Sequence, residues 1–258
     1  MKIDNPTAKT FPLNKIAAIC DHTFLTRTEA YRERTLPGKS SIKRRQADFF
    51  QFLRSVCHGD LQPFAVCVRA EDIPHAYRFL EENNSKEKVV LVATVGFPEG
   101  AWYKTQYKLF ETQYAMGEGA DEIDMVLNYQ ALKEGNHARV LEEMQVLKKV
   151  VDRFGGKLKV ILETSELSDE LIAQACHLAA HGGADFVKTS TGFATTGVKA
   201  EQLKVVCNNF AGGIKISGGI NAQNVQHFLS IISNSRPGVF ALDPAKVRIG
   251  ESQLLYTP

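Results

Sequence analysis

The chain has 258 residues, of which 44% are hydrophobic and 23% charged, and its formal net charge is +2. These values are typical of a globular domain and unlike those of a disordered chain. The mild charge also gives no support to a nucleic-acid-binding function, which would concentrate basic residues on one face.

The cysteines and the N-terminal sequence indicate the compartment. The five cysteines are odd in number and lack the close spacing of a zinc or redox motif, so we expect free thiols in a reducing compartment, the cytoplasm. The first residues do not resemble a secretory signal. No apolar run approaches the ~20 residues that a transmembrane helix requires, so no membrane association is expected.

The first half of the chain alternates between predicted strands and helices. A first strand is expected at 16–21, and a polar, turn-rich segment with seven basic residues follows over 27–45. We interpret this segment as a loop insertion; the alternative is a mobile basic cover over an anionic substrate. Helical spacing and β-branched runs then predict helices at 46–57, 72–82 and 103–116, and strands at 64–68, 88–95 and 121–127.

The second half repeats this alternation. Strands are expected at 157–162, 184–188, 214–217 and 246–249, and helices at 140–154, 168–181, 200–210 and 222–232. Strands alternating with helices form parallel crossover units, and eight of them in about 250 residues have the size of a β/α barrel. We therefore predict an α/β fold, a single (β/α)8 TIM barrel over residues 1–258. A doubly wound open sheet is the alternative, but no glycine-rich turn follows the first strand.

The alternation of side chains along a strand predicts which residues fill the barrel. Apolar residues of the later strands should face the helices, which turns the charged residues between them inward. These charged residues are Glu122, Asp124, Lys159, Glu163, Lys188 and Lys215. We interpret Glu122, Lys159 and Glu163 as a structural ion-pair network, because buried charges need partners. The other three lie near the carboxyl ends of the strands, the catalytic face of barrel enzymes.

Two inward lysines beside an aspartate suggest chemistry through a lysine Schiff base. Lysine attacks a carbonyl only when uncharged, and at neutral pH about one molecule in a thousand is uncharged. Burial and a second ammonium both favour the uncharged form, so Lys215 could activate Lys188. Lys188 is the better nucleophile candidate because the hydroxyls of residues 189–191 surround it, although the sequence does not forbid the reverse assignment. Asp124 would then move a proton, directly or through water. This chemistry needs no metal and no cofactor.

Two small-residue turns indicate an anion site. One is Ser217-Gly218-Gly219, after the seventh predicted strand, and the other is Gly250-Glu251-Ser252, after the eighth. In β/α barrels these two loops often bind phosphate, with backbone N–H groups as donors. Plain turns are the alternative reading.

Six stretches resemble those of the deoxyribose-phosphate aldolase family. They are DHT at 21–23, TVGFP at 94–98, EIDMVLN at 122–128, KVILET at 159–164, GADFVKTSTGF at 183–193 and KISGGI at 215–220. The resemblance implies a class I aldolase, a lyase without cofactor that reversibly cleaves 2-deoxy-D-ribose 5-phosphate to acetaldehyde and D-glyceraldehyde 3-phosphate. It also implies a role in deoxyribonucleotide catabolism.

The resemblance further implies roles for individual residues. Lys188 corresponds to the Schiff-base lysine, Lys215 to the second lysine that tunes it, and Asp124 to the acid/base aspartate. The implied substrate-pocket residues are Asp21, Cys67 and Thr191, and the implied phosphate-binding residues are Gly218, Gly219, Gly250 and Ser252.

Two features depart from the family pattern. The segment 27–45 is longer than the usual link after the first strand, and Glu251 and Gln253 flank Ser252 where small hydroxyl residues are common. A Schiff-base aldolase for another sugar phosphate or an unphosphorylated aldehyde therefore remains an alternative, as does a non-catalytic sugar-phosphate-binding barrel. The expected partners are small sugar phosphates and aldehydes, without nucleic acid, and a homodimer is a candidate assembly.

Overall fold

Eight parallel strands form a closed barrel in a computed structural model that describes residues 10–32, 39–239 and 241–255. The strands are β1 (Cys20–Phe24), β2 (Ala65–Arg69), β3 (Val90–Val95), β4 (Glu122–Val126), β5 (Lys157–Ile161), β6 (Phe186–Lys188), β7 (Gly213–Ser217) and β8 (Val247–Glu251). The barrel closes where β8 pairs with β1, with Cys20 opposite Ile249. The predicted (β/α)8 TIM barrel is confirmed, and this closure excludes the open doubly wound sheet.

Ten α-helices surround the barrel in the described part of the chain. They are α1 (Leu13–Ala17), α2 (Glu29–Arg32), α3 (Ser41–His58), α4 (Ile73–Glu82), α5 (Thr105–Gly117), α6 (Tyr129–Lys133), α7 (His137–Arg153), α8 (Asp169–His181), α9 (Ala200–Asn209) and α10 (Val225–Ser235). Local sequence explains several helix starts: the Ser168 side chain, for example, accepts a hydrogen bond from the Leu171 N–H. None of these helices is long and apolar enough to cross a membrane.

The apolar core lies between the strands and the helices. Residues at alternate strand positions, such as Ile123, Met125, Val160 and Leu162, are fully buried in it. Their neighbours along the strands point to the barrel axis instead, as the period of two requires. The fold therefore separates an apolar layer outside the barrel from a largely charged interior.

The first predicted strand was wrong in its bounds. Leu13–Ala17 form α1, and β1 begins only at Cys20. A short apolar run does not distinguish a strand from a buried helical turn. Pro12, which lacks an N–H group, immediately precedes this helix and suits such a start.

The segment 27–45, predicted as a loop, is partly helical. It contains α2 and the first turn of α3, while residues 33–38 lie outside the described residues. Arg27 donates to the Phe97 carbonyl at 3.0 Å, and Arg45 donates to the Thr26 carbonyl at 2.7 Å and pairs with Asp72. These bonds attach the segment to the loops at the carboxyl ends of the strands, where its Tyr31 lines a cavity.

Candidate active site

The barrel interior holds a cluster of seven charged side chains, which we call the charge cluster. Its members are Asp21, Glu122, Asp124, Lys159, Lys188, Lys215 and Arg248, none more than 4% exposed. Strand register brings them together, since Lys188 lies opposite Lys215 on β6 and β7. The inward orientation predicted from side-chain alternation is therefore confirmed for the charged residues of β4 to β7. Glu163 does not join the cluster, contrary to its predicted place in an ion-pair network.

Asp124 lies at the centre of the charge cluster. Its Oδ2 accepts hydrogen bonds from Lys188 Nζ at 3.1 Å and Lys215 Nζ at 2.8 Å, and its Oδ1 accepts one from Lys159 Nζ at 2.8 Å. Burial raises the pKa of Asp124, but the lysines outweigh burial and hold this pKa well below its usual range. Asp124 is thus a carboxylate that joins the two candidate catalytic lysines.

Lys215 is held by two carboxylates. Its Nζ lies 2.5 Å from Asp21 Oδ2 and 2.8 Å from Asp124 Oδ2. Burial lowers the pKa of Lys215, yet these carboxylates raise it above its usual value, so Lys215 is an ammonium. Burial raises the pKa of Asp21, whereas Lys215 and Arg248 lower it, to a final value of about 2.

The ion pairs of the charge cluster do not balance. Three carboxylates face four basic side chains. Lys188 contacts a single one of these carboxylates, whereas Lys159, Lys215 and Arg248 each contact at least two. An uncompensated buried charge is costly, and Lys188 is the basic side chain of the cluster whose charge the carboxylates compensate least.

A cavity of about 680 Å³ opens at the carboxyl ends of the strands. Six predicted site residues line it: Lys188, Thr191, Gly218, Gly219, Gly250 and Ser252. The other four, Asp21, Cys67, Asp124 and Lys215, are fully buried and do not line it. These four form a buried layer below the cavity, in which Cys67 Sγ lies 3.9 Å from Asp124 Oδ2. Lys188 connects the two layers, because it lines the cavity and bonds to Asp124.

Aromatic rings border Lys188. The Phe97 ring centroid lies 5.9 Å from Lys188 Nζ, and Phe193 packs edge-to-face on Phe97 at 5.2 Å. Phe97 is almost fully buried, and Phe193 lines the cavity. The sequence prediction overlooked this pair as well as Arg248. The alternation Val247-Arg248-Ile249 was a signal that Arg248 points inward.

Glycines shape the opposite wall of the cavity. Gly218 and Gly219 have φ of 88° and 78°, in the left-handed region that favours glycine. A Cβ at Gly250 would lie 3.0 Å from Lys215 Cε, so this glycine also leaves space for the lysine. The predicted anion-site glycines therefore line the same cavity, and glycine at position 250 is also required by the close approach of Lys215.

Glu251, which departs from the family pattern, is buried. Its Oε1 lies 2.6 Å from His22 Nδ1, and its Oε2 accepts a hydrogen bond from the Leu254 N–H at 2.7 Å. The His22 ring stacks on Phe52 at 4.8 Å. The carboxylate is therefore satisfied within the wall, while the neighbouring Ser252 is exposed.

Known proteins resemble this chain over most of its length. Residues 21–236 match the sequence model of the DeoC/LacD family aldolases. A relative from Aciduliprofundum boonei, named deoxyribose-phosphate aldolase, is 39% identical over 74% of this chain and 79% of its own. One from Thermococcus gammatolerans, with the same name, is 42% identical over 61% of this chain and 69% of its own.

Solved structures agree in fold. A chain from Coccidioides immitis superposes with a TM-score of 0.73 and 28% identity, covering 95% of this chain and 84% of that one. A structure named "QR15, an Aldolase" gives a TM-score of 0.69 and 26% identity, covering 91% of this chain and 90% of that one.

The family match spans β1 to α10, including every lysine and carboxylate of the charge cluster. The chain is therefore a lyase that belongs to the DeoC/LacD family of aldolases.

Proposed function

We propose that the chain reversibly cleaves 2-deoxy-D-ribose 5-phosphate to acetaldehyde and D-glyceraldehyde 3-phosphate through a Schiff base on Lys188. One observation carries the proposal: Lys188 is the one lysine of the charge cluster that lines the cavity, and it shares a carboxylate oxygen with Lys215. The relatives named deoxyribose-phosphate aldolase support the choice of substrate.

In the proposed mechanism, uncharged Lys188 attacks the substrate aldehyde, and the resulting carbinolamine loses water to form an iminium. The iminium accepts the electron pair of the breaking carbon–carbon bond, which leaves an enamine on Lys188 and frees D-glyceraldehyde 3-phosphate. Protonation of the enamine carbon and hydrolysis then release acetaldehyde and restore the amine.

Lys215 supplies the mobile proton in this mechanism, and Asp124 links it to Lys188. The pKa of Asp124 lies well below its usual range, so the aspartate stays a carboxylate and has no proton of its own to donate. Lys215 is charged and shares Oδ2 of Asp124 with Lys188. The acid/base role expected of Asp124 is therefore assigned to the Asp124–Lys215 pair.

The phosphate is proposed to lie against Gly218, Gly219, Gly250 and Ser252. Apart from Lys188, no lysine or arginine of the described ranges lines the cavity, so backbone N–H groups and the Ser252 hydroxyl would supply the binding. Glu251 also lines the cavity, and its carboxylate is engaged by His22 and by backbone N–H groups.

Borohydride reduction in the presence of acetaldehyde tests the proposed nucleophile. We expect mass analysis of the peptides to find an ethyl group on Lys188, because acetaldehyde alone forms the Schiff base. A sample reduced without acetaldehyde is the control. An ethyl group on Lys215 with unmodified Lys188 would reverse the two roles, and no adduct would overturn the aldolase proposal.

The outer face of α5 supports a homodimer. Tyr107 and Phe110, with Tyr114 a turn further on, lie on one face of the helix and are 63%, 68% and 38% exposed, and Trp102 before the helix is 74% exposed. At 150–250 Å² per ring, these exposed parts amount to roughly 500 Å². A stable interface buries about 800 Å² per partner. A second copy presenting the same face is the proposed occupant, since two-fold symmetry pairs identical surfaces.

Light scattering with size-exclusion chromatography tests this assembly. We expect a dimer for the wild type and a monomer for Phe110→Glu, because a buried charge at the centre of the face would be unpaired. The matched control is Phe154→Glu, which changes an exposed phenylalanine at the end of α7. A monomeric wild type, or a dimeric Phe110→Glu variant, would contradict the proposed interface.

The cytoplasm is the proposed compartment. All five cysteines are free, and four of them are buried. Free thiols persist in a reducing environment, whereas extracellular compartments favour disulfides. Recovery of the protein from an oxidising compartment in cell fractionation would contradict this assignment.

A further inference from the structure

Glu163 adopts a strained backbone conformation just after β5, next to Thr191, which lines the cavity. It follows β5 with φ 53° and ψ 63°, in the left-handed region. Among the described residues, only one other non-glycine residue, Asn84, has a positive φ. Residues other than glycine rarely adopt this conformation, and such strain is concentrated at functional sites. Because glycine would remove the strain, the side chain of Glu163 needs an explanation.

The carboxylate of Glu163 bonds to Thr191 alone among the described residues. Its Oε2 accepts the Thr191 N–H at 3.2 Å and also the Thr191 hydroxyl proton, in a short hydrogen bond. Glu163 is 3% exposed and forms no ion pair with a described residue. Burial raises the pKa of Glu163 above its usual value, although the Thr191 bonds and Lys188 act to lower it. The carboxylate is therefore better able to take up a proton than those of Asp21 and Asp124, whose pKa values are lowered.

The hydroxyl of Thr191 has a fixed orientation. Its proton goes to Glu163, and its oxygen accepts the Phe193 N–H at 3.1 Å. A hydroxyl oxygen has two lone pairs, so one remains for a group in the cavity that Thr191 lines. Thr191 lies three residues after Lys188, on the same turn. A hydroxyl of a molecule bound to Lys188 can donate to this lone pair.

We infer that Glu163 and Thr191 form a proton relay for the substrate hydroxyl whose oxygen becomes the aldehyde oxygen when the carbon–carbon bond breaks. This inference rests on the proposed function and concerns a different proton from the one carried by the Asp124–Lys215 pair. Thr191 contacts the substrate, and Glu163 acts through Thr191 as its positioning residue.

The proposed step balances as follows. The substrate O–H bond breaks, and its proton moves to Thr191 Oγ1 while the Thr191 proton moves to Glu163 Oε2. The freed electron pair forms the C=O bond of the departing aldehyde, and the pair of the breaking C–C bond moves into the iminium to give the enamine. Glu163 ends as a carboxylic acid and returns its proton through Thr191 to water in the cavity. Nothing is oxidised or reduced.

Two reactions of the same enzyme isolate this step. Exchange of the acetaldehyde methyl protons with deuterium in D2O, followed by NMR, requires the Schiff base and the enamine but no hydroxyl proton. Cleavage of 2-deoxy-D-ribose 5-phosphate requires both. For Glu163→Gln we expect exchange within about twofold of wild type, and kcat for cleavage about 100-fold lower, the lower end of the effect of a general base.

Two threonine variants and one control complete the test. Thr191→Val should lose cleavage and keep exchange, like Glu163→Gln. Thr191→Ser should retain cleavage, because serine keeps the hydroxyl. The control Glu166→Gln changes an exposed acid in the same short helix, Thr164–Glu166, and should leave both reactions unchanged.

The outcomes separate this inference from the proposed function. Cleavage that survives in Glu163→Gln overturns the relay, and so does a parallel loss of exchange and cleavage, which would indicate a structural role. If Glu163→Gln does not fold, the contrast between Thr191→Val and Thr191→Ser decides in the same way. A wild type that exchanges no methyl protons overturns the proposed function itself.

Discussion

Replacing Lys188 with methionine is expected to abolish aldol cleavage and to leave the barrel at least as stable as the wild type. Methionine fills a similar volume but cannot form a Schiff base, so kcat should fall by about 10⁴-fold or more, as for other lost nucleophiles. Stability should not fall, because the variant leaves three basic side chains facing the three carboxylates of the charge cluster.

Two measurements on this variant address different points. Cleavage kinetics test the nucleophile, and urea unfolding tests the charge count. Lys199→Met, an exposed lysine just before α9, is the control for both. Substantial cleavage by the Lys188→Met variant would move the nucleophile elsewhere. A loss of several kcal/mol would show instead that Lys188 is charged in the resting enzyme, since removing one partner of a buried pair costs about 3–5 kcal/mol.

Much of the candidate site could be predicted because strands have a strict period of two. Once Ile123 and Met125 were assigned to the helix-facing side, Asp124 had to point inward, and the same rule oriented Lys188 and Lys215. The length of the chain and its alternating elements predicted the barrel. The same rule also orients Arg248 inward, between the apolar residues Val247 and Ile249. This alternation covers only three residues of a short final strand, so the sequence indicated the orientation of Arg248 only weakly.

Other contacts depend on distances that no local pattern encodes. Glu251 bonds to His22 across 229 positions of sequence separation, so its apparent conflict with a phosphate could not be resolved from neighbouring residues. The left-handed conformation just after β5 likewise could not be predicted, because it is adopted by Glu163 and not by a glycine or asparagine, the residues that usually indicate it. Its bond to Thr191 depends on how two loops meet above the barrel, which side-chain alternation does not specify.

The segment 27–45 shows the limit of composition. Its basic residues and turn-rich composition suggested a loop, but α3 begins at Ser41, where the Ser40 side chain accepts a hydrogen bond from the Lys43 N–H. The first turn of α3 is rich in basic residues and lacks the apolar stripe that predicts the rest of this helix. The capping serine was the stronger local signal.

Replacing Lys215 with methionine is expected to lower cleavage at neutral pH by about 100- to 1,000-fold and to move the pH optimum upward. The variant loses a proton donor, which accounts for part of the decrease. It also loses one positive charge next to Asp124, so the three carboxylates are balanced only when Lys188 carries a proton. A charged Lys188 cannot attack, and higher pH is then needed to release its proton.

A double variant separates the two effects of Lys215. Adding Asp21→Asn to Lys215→Met removes the carboxylate that Lys215 contacts at 2.5 Å, and with it the excess negative charge. The pH optimum should return toward that of the wild type, while kcat stays low because the proton donor is still missing. Profiles of kcat against pH for the wild type and both variants make the comparison. An optimum that does not move in Lys215→Met would show that the charge of Lys215 does not control Lys188, leaving proton donation as its role.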